Sequence, residues 1–362
     1  MDSQAQANEP PDSSLKVDLL GVTARDLSRA AVGWFGDGKG RGFARDVHRQ
    51  AVCHGQFAPE KLGAGPRSAA VWRAESHLHL PKIIERRAEQ GEYGEICKRL
   101  LQLNDGHVIE SVAIPMGRNR CSLCVSTQVG CARACTFCET GKLGLLRNLS
   151  PGEIVAQVTT QLLAGPISHV VFQGMGEPLD NLDGLLPALE VLSDPSGIGL
   201  GHDRMTVCTV GHVPGIEALR KLGWKRLGLS LSLNSADDKQ RSELMPRSVR
   251  YPLVDIQAAL IAYRQRKNMA LGIHWCLIPG VNDTARDADQ IAAFLEPLGR
   301  TLVHVIPYNP GSAPISRPPT DREIVAFVML LRQRGVAVRR RITKGRTVMA
   351  GCGQLGKSQS SD

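Results

Sequence analysis

From about residue 107 the chain alternates short apolar runs with longer stretches of helical periodicity. Val108–Ile114 and Cys124–Val129 read as strands, the second running straight into a cysteine-rich loop. Further strands are expected at 168–173, 204–210, 227–233, 270–278 and 302–308, with a last one at Val336–Ile342. Helices are expected at 182–192, 214–221, 235–243, 253–266, 284–297 and 320–334. Ahead of them, Ser150-Pro151-Gly152-Glu153 is a capping box with proline at the first helical position. Ile154, Val155, Val158, Leu162 and Leu163 then mark one buried helix face. Counted from Cys124 this makes six β-then-α units. Such alternation specifies a parallel sheet. Six units cannot close an eight-stranded barrel, so the expected class is α/β, a partial (β/α)6 barrel. Its active site should lie at the C-terminal ends of the strands.

The front of the chain has another rhythm. Residues 1–15 are rich in Gln, Pro and Ser and are expected to be disordered. Residues 16–100 read as a small, mainly helical accessory domain, with Leu19, Val22, Leu27, Ala31 and Trp34 at roughly helical spacing. Gly36 to Gly42 is expected to be a flexible basic loop. The barrel core is placed at 105–345, and residues 346–362 form a C-terminal segment carrying Cys352.

Composition narrows the class. No apolar run approaches the roughly 20 residues of a membrane span, and Met1–Leu20 is polar and acidic, without the apolar core of a secretory signal. A cytoplasmic, reducing location is expected, and a monomer is the default. There cysteines serve as metal ligands or catalysts more often than as staples. The net charge of +9 favours an anionic partner, nucleic acid foremost. Aromatic residues are only 4%, which argues against an extended base-stacking platform.

The sharpest chemical signal is Cys131-Ala-Arg-Ala-Cys135-Thr-Phe-Cys138, a C-x3-C-x2-C spacing. It puts three thiolates on one short loop, enough for three corners of an iron–sulfur cubane, which normally takes four cysteines. The remaining iron is left without a protein ligand, and an open metal position is where substrates bind. Structural zinc is the competing account, with Cys124 as a fourth ligand, but no partner pair follows Cys138.

Other polar residues fall at strand ends. Gly174-Met175-Gly176-Glu177-Pro178 follows the second core strand; its glycines permit close backbone approach, and Glu177 can accept hydrogen bonds from an ammonium group. A tight turn before a helix is the plainer account. Cys208 and Thr209 end the third strand, and burial alone accounts for Cys208. Alternation points Ser230, Ser232 and Asn234 to one face of the fourth. Asn309 stands at the end of the sixth. Cys352, flanked by glycines, reads as an accessible thiol or an incidental surface one. Cys53, Cys97, Cys121 and Cys276 read as ordinary.

Together these motifs resemble the radical S-adenosylmethionine (SAM) RNA methyltransferases of the RlmN/Cfr family. The matching residues are Cys124 to Cys131, the cluster cysteines, Thr140-Gly141-Lys142, Arg147 to Ile154, Gly174 to Leu179, Gly280 to Asp283, Ile306 to Pro310 and Cys352 to Leu355, a span of roughly 105–356. The pairing of Cys124 with Cys352 narrows the resemblance from radical SAM enzymes in general to this family. It implies that Cys131, Cys135 and Cys138 hold a 4Fe–4S cluster whose free iron chelates SAM. It implies SAM contacts at Gly176, Glu177, Cys208, Ser232, Leu233, Asn234 and Asn309. Cys352 would be methylated by one SAM, and a radical from a second would activate that methyl for addition to an adenine ring carbon, C2 or C8. Glu110 would accept the proton, and Cys124 would release the product through a transient disulfide with Cys352. The implied partners are ribosomal RNA, tRNA or both, and an electron donor such as flavodoxin or ferredoxin.

The chain departs from the family in three places. Asn234 stands where His is common, Cys208 where Ser is common, and Gly345-Arg346-Thr347-Val348-Met349 where an acidic stretch usually precedes the terminal cysteine. The alternatives are a radical SAM enzyme with a non-RNA substrate, or a non-catalytic iron–sulfur or metal-stabilised RNA-binding protein.

Overall fold

A computed structural model describes residues 16–36, 40–264, 268–341, 345 and 348–356. What the sequence leads one to expect of residues 1–15, of 37–39 in the basic loop, of 265 and 266 at the end of the helix expected at 253–266, of Ile342, of Arg346 and Thr347, and of 357–362 lies outside the described residues.

In chain order the strands are β1 Val17–Asp18, β2 Ser76–His77, β3 Lys82–Gly91, β4 Gly94–Gln102, β5 Val108–Pro115, β6 Cys121–Val125, β7 Gln128–Gly130, β8 Leu145–Asn148, β9 His169–Phe172, β10 Met205–Thr209, β11 Gly228–Ser232, β12 Leu271–Leu277, β13 Thr301–Pro307 and β14 Val338–Arg340. The helices are α1 Ala24–Phe35, α2 Arg41–His54, α3 Pro66–Glu75, α4 Glu139–Lys142, α5 Pro151–Ala164, α6 Leu182–Ser193, α7 Val213–Lys221, α8 Asp238–Leu244, α9 Leu253–Tyr263, α10 Ala285–Leu295 and α11 Asp321–Gln333.

Ten strands form one sheet in the order β14-β13-β12-β11-β10-β9-β6-β5-β4-β3. From β6 to β14 every pair is parallel, and each strand from β6 to β13 is followed by helix before the next strand of the sheet begins. This is the expected open (β/α)6 barrel. β5, β4 and β3 extend it antiparallel.

Helix α5 begins where its cap predicts, and two further helices share the same device. Ser150 and Glu153 close the capping box of α5; Thr284 with Asp287 and Thr320 with Glu323 do the same for α10 and α11. Buried Leu, Val and Ile from the parallel strands meet the inner helix faces in one large core that also takes in Leu27, Ala31, Val47 and Trp72 of the N-terminal helices. Those helices are anchored on the barrel where Thr159 Oγ1 donates to the Val52 carbonyl at 2.9 Å.

Three expectations change. Residues 82–100, read within the helical unit, belong to the β3–β4 hairpin, which runs on to Gln102 and joins the main sheet. β3 carries Lys82, Glu85, Arg86, Arg87 and Glu89 on an edge strand exposed along much of its length, so it has no alternating apolar face to betray it. The strand expected at Cys124–Val129 is two strands, β6 and β7. Leu163, assigned to the buried face of α5, is 57% exposed in that helix's last turn.

Candidate active site

The loops after β6, β9, β10 and β11, residues within β12 and β13, and the C-terminal turn surround a cavity of about 210 Å³ at the C-terminal end of the parallel strands. A single water needs only about 10–15 Å³ on the same measure, so the space suits a polyatomic ligand.

Cys131, Cys135 and Cys138 all line this cavity. The loop is shaped by the left-handed Ala134, φ 52°, and by the Cys138 N–H donating to the Cys135 carbonyl at 3.1 Å. Burial pushes the Cys131 thiol up to about 12, the Cys135 thiol well above its ordinary value and the Cys138 thiol upward. Arg133 and Arg241, both buried, lie near enough to Cys131 and Cys135 to interact with their charge. Such thiols are neutral when free and lose their protons on binding metal. Among the described residues no three His, Cys, Asp or Glu side chains converge as around one metal ion. Three thiols on the wall of a roomy cavity, with two buried arginines near them, fit a cluster whose ligands attach at separate irons better than mononuclear zinc.

Gly176 and Glu177 line the same cavity. Gly176 has φ 98°, and a β-carbon there would lie 2.6 Å from Gln128 Cβ. The same Gln128 accepts from the Glu177 N–H through Oε1 at 2.9 Å. Glu177 Oε2 accepts from the Val210 N–H at 2.9 Å and Oε1 from the Leu179 N–H at 3.2 Å. Burial pushes the Glu177 carboxyl up to about 7, opposed by the Arg133 guanidinium. Its remaining lone pairs make it an acceptor poised for a cation.

Ser232 and Asn234 line the cavity as the strand-end argument expects, and Cys208, which burial alone accounted for, lines it too. Asn234 takes the left-handed conformation, φ 57°, and its Oδ1 accepts from the Cys276 N–H at 2.9 Å. Leu233 points into the hydrophobic core, leaving its backbone as the part nearest the site. Ser230 is buried beside the cavity rather than in its wall. Asn309 is buried, donates to the Cys352 carbonyl at 3.3 Å, and keeps an Oδ1 with no protein partner.

Cys352 and Cys124 share the cavity wall as free thiols. Cys352 is exposed as a residue, yet enough protein surrounds its sulfur for burial to raise its pKa. Burial pushes Cys124 up to about 12, and the neighbouring Cys352 adds to the rise. The Cys352 turn is clasped by the cluster loop: the Glu139 N–H donates to the Gly353 carbonyl at 2.8 Å and Thr140 Oγ1 to the Leu355 carbonyl at 2.7 Å. Glu110 lies outside the cavity wall, on the same face of β5 as the lining residues Val112 and Ile114. Lys98 Nζ sits 2.7 Å from its Oε2.

Sequence reasoning missed several wall residues. Gln173 Nε2 and His274 Nδ1 are 3.2 Å apart, and Cys208 Sγ lies 3.5 Å from Gln173 Oε1. Burial, then the Arg341 charge, holds the His274 imidazole well below its usual range. Cys276, read as ordinary, also lines the cavity. Gln173 and His274 sit at the ends of β9 and on β12, so the strand-end rule that found Glu177 and Asn234 was the available signal.

A parallel partial barrel with three cysteines on the first loop and a Gly-Glu turn on the second defines a radical SAM enzyme. The sequence pattern of the Radical SAM superfamily matches residues 125–295. The dual-specificity RNA methyltransferase RlmN of Syntrophotalea carbinolica is 38% identical over 346 residues, 95% of this chain and 91% of that one. RlmN of Anaeromyxobacter sp. is 36% identical over 96% of this chain and 93% of its own. A crystal structure of a radical SAM methyltransferase from Sphaerobacter thermophilus superposes with a TM-score of 0.84 at 32% identity, covering 94% of this chain and 99% of that one. The chain belongs to the RlmN-type family of radical SAM methyltransferases. Membership implies SAM and an iron–sulfur cluster. Among the described residues no helix is long and apolar enough to cross a membrane.

Proposed function

We propose that this enzyme methylates a ring carbon, C2 or C8, of an adenine in ribosomal RNA, tRNA or both, through a methylated Cys352. The observation that carries the reading is the convergence of Cys352, Cys124 and the three loop cysteines on one cavity wall, with the Cys352 turn hydrogen-bonded to the loop itself. In this reading Cys131, Cys135 and Cys138 ligate a 4Fe–4S cluster. Glu177, the Gly176 backbone, Ser232, Asn234, Asn309, the Leu233 backbone and Cys208 receive SAM. A cluster and SAM held by these residues would supply the one-electron chemistry needed to transfer a methyl group to an aromatic carbon too poor a nucleophile for polar transfer.

The chain's own residues then divide the work. Cys352 carries the methyl group and is held in reach by Asn309, Glu139 and Thr140. Glu110 accepts the proton leaving the ring carbon. Cys124 attacks Cys352 sulfur, the bond from that sulfur to the methylene carbon breaks as the disulfide forms, and the carbon takes up a proton to leave as the methyl group of the base; a covalent intermediate divides one hard step into easier ones. The basic balance of the chain, +9, suits an RNA partner. A flavodoxin or ferredoxin is the proposed electron donor, the monomer the working unit and the cytoplasm the location.

The test is anaerobic reconstitution with iron and sulfide, then reaction with RNA and SAM bearing a CD3 methyl group. A methyladenosine carrying CHD2 is the expected product, because one methyl hydrogen is removed and replaced. A CD3 product would mean direct polar transfer and would exclude the route through Cys352. Formation of 5′-deoxyadenosine without a labelled nucleoside would move the search to a non-RNA substrate.

A further inference from the structure

We propose that Lys98 is a positioning residue that ties the proton acceptor Glu110 to the turn carrying Cys352. The inference rests on the roles given to those two residues above. Lys98 Nζ lies 2.7 Å from Glu110 Oε2 and donates to the Met349 carbonyl at 3.0 Å, a residue 251 positions away in sequence. One ammonium group therefore has the carboxylate on one side and the carrier turn on the other. With three N–H donors and no acceptor, a lysine can serve both at once.

The setting argues for a positional role. The Lys98 and Glu110 side chains are 0% and 2% exposed. A buried ion pair seldom stabilises a fold more than an apolar pair of the same shape. The sheet does not need it here, since β4 and β5 are already joined by their ladder, with Lys98 opposite Val112 and Leu100 opposite Glu110. Met349, moreover, is a non-glycine residue in the left-handed region, φ 53°, a conformation that persists only when its surroundings hold it. Lys98 holds its carbonyl, and the Ala350 N–H donates to the Gly345 carbonyl at 2.7 Å. Cys352 follows three residues after Met349. Glu110 shares a strand face with Val112 and Ile114, which line the cavity. The separation between proton acceptor and methyl carrier is thus set through one side chain.

The test uses the full chain, reconstituted anaerobically. Lys98→Met keeps the length of the side chain and removes the cation. Its iron content should match the parent, with 5′-deoxyadenosine formation lowered no more than about fivefold by the looser turn. Methyladenosine per 5′-deoxyadenosine should fall about ten- to hundredfold, the range expected for a lost hydrogen bond to a charged group. A covalent protein–RNA adduct should accumulate on denaturing gels, because addition proceeds and proton removal fails. Product within twofold of the parent, or product lost without adduct, would overturn the proposal.

If Lys98→Met does not fold, the comparison is Glu110→Gln against Lys98→Met/Glu110→Gln, in which the pair is neutral. The readout is the rate of methyl-Cys352 formation by protein mass spectrometry, a step that precedes proton removal. The second substitution should slow it about fivefold by loosening the turn; equal rates would overturn the tether. The parent reading is checked separately. A parent enzyme that never methylates Cys352, or a Glu110→Gln variant that forms methyladenosine normally, removes the roles on which this proposal stands.

Discussion

Replacing Gly176 by alanine tests the close packing beneath the proposed SAM site. The added β-carbon would lie 2.6 Å from Gln128 Cβ, 2.7 Å from its Cγ and 2.9 Å from its backbone nitrogen. Gln128 is fully buried and is held from both ends: Nε2 donates to Asn148 Oδ1 at 2.8 Å, and Oε1 accepts from the Glu177 N–H. It cannot swing away without breaking one of these bonds. The positive φ of 98° adds a backbone penalty, about 1–2 kcal/mol for an L-residue in a left-handed conformation. Overpacking costs about 1–3 kcal/mol, and a lost Gln128–Glu177 hydrogen bond about 1 kcal/mol. The total is about 3–6 kcal/mol before relaxation. With about 2.1 cal/mol/K of unfolding entropy per residue, a 362-residue chain loses about 1.3 °C of Tm per kcal/mol. Thermal unfolding of the purified chain should therefore show Gly176→Ala about 4–8 °C below the parent. Equilibrium dialysis with reconstituted protein should show weaker SAM binding, because Glu177 moves with the turn. A Tm within 1 °C of the parent together with unchanged SAM affinity would refute the reasoning.

Cys135→Ala should leave a folded chain that retains no iron–sulfur absorption after reconstitution and forms no 5′-deoxyadenosine; iron analysis and nucleoside chromatography check both. Asn309→Ala removes the 3.3 Å bond to the Cys352 carbonyl and a buried Oδ1 free to meet a ligand. About tenfold weaker SAM binding is expected, worth about 1.4 kcal/mol, with methyl-Cys352 formation also slowed; unchanged values would remove Asn309 from the site. Burial raises the Glu177 carboxyl from 4.5 to about 7, so between those values the native apoprotein binds more protons than the unfolded chain. Stability contributed by this group is present in full below 4.5 and falls as pH rises through about 7, by about 3 kcal/mol. Glu177→Gln should flatten that slope in denaturant titrations across the window, and a parallel slope would disprove the assignment. Thr140→Val deletes the 2.7 Å bond to the Leu355 carbonyl; Cys352 should then react faster with a thiol reagent, measured by timed alkylation.

The part of this protein legible in sequence was whatever depends on residues near one another along the chain. The C-x3-C-x2-C loop, the capping box at Ser150 and the six strand–helix alternations are local patterns, and each falls where local physics puts it. Because parallel strands all end on one side, loops far apart in sequence were expected to be neighbours: Glu177 and Asn234 line the cavity, and Asn309 lies outside its wall, against the Cys352 turn. Tertiary structure decided what local pattern cannot carry. The exposed, charged β3 becomes a strand only because β4 pairs with it. Leu163 turns outward although its periodicity places it inside. Gln173 and His274 enter the cavity wall without any motif to mark them. Lys98 and Met349 meet across 251 residues because the C-terminal turn folds back over the sheet. Burial of an ionic group is a property of its surroundings in space, and residue type and spacing along the chain do not record it.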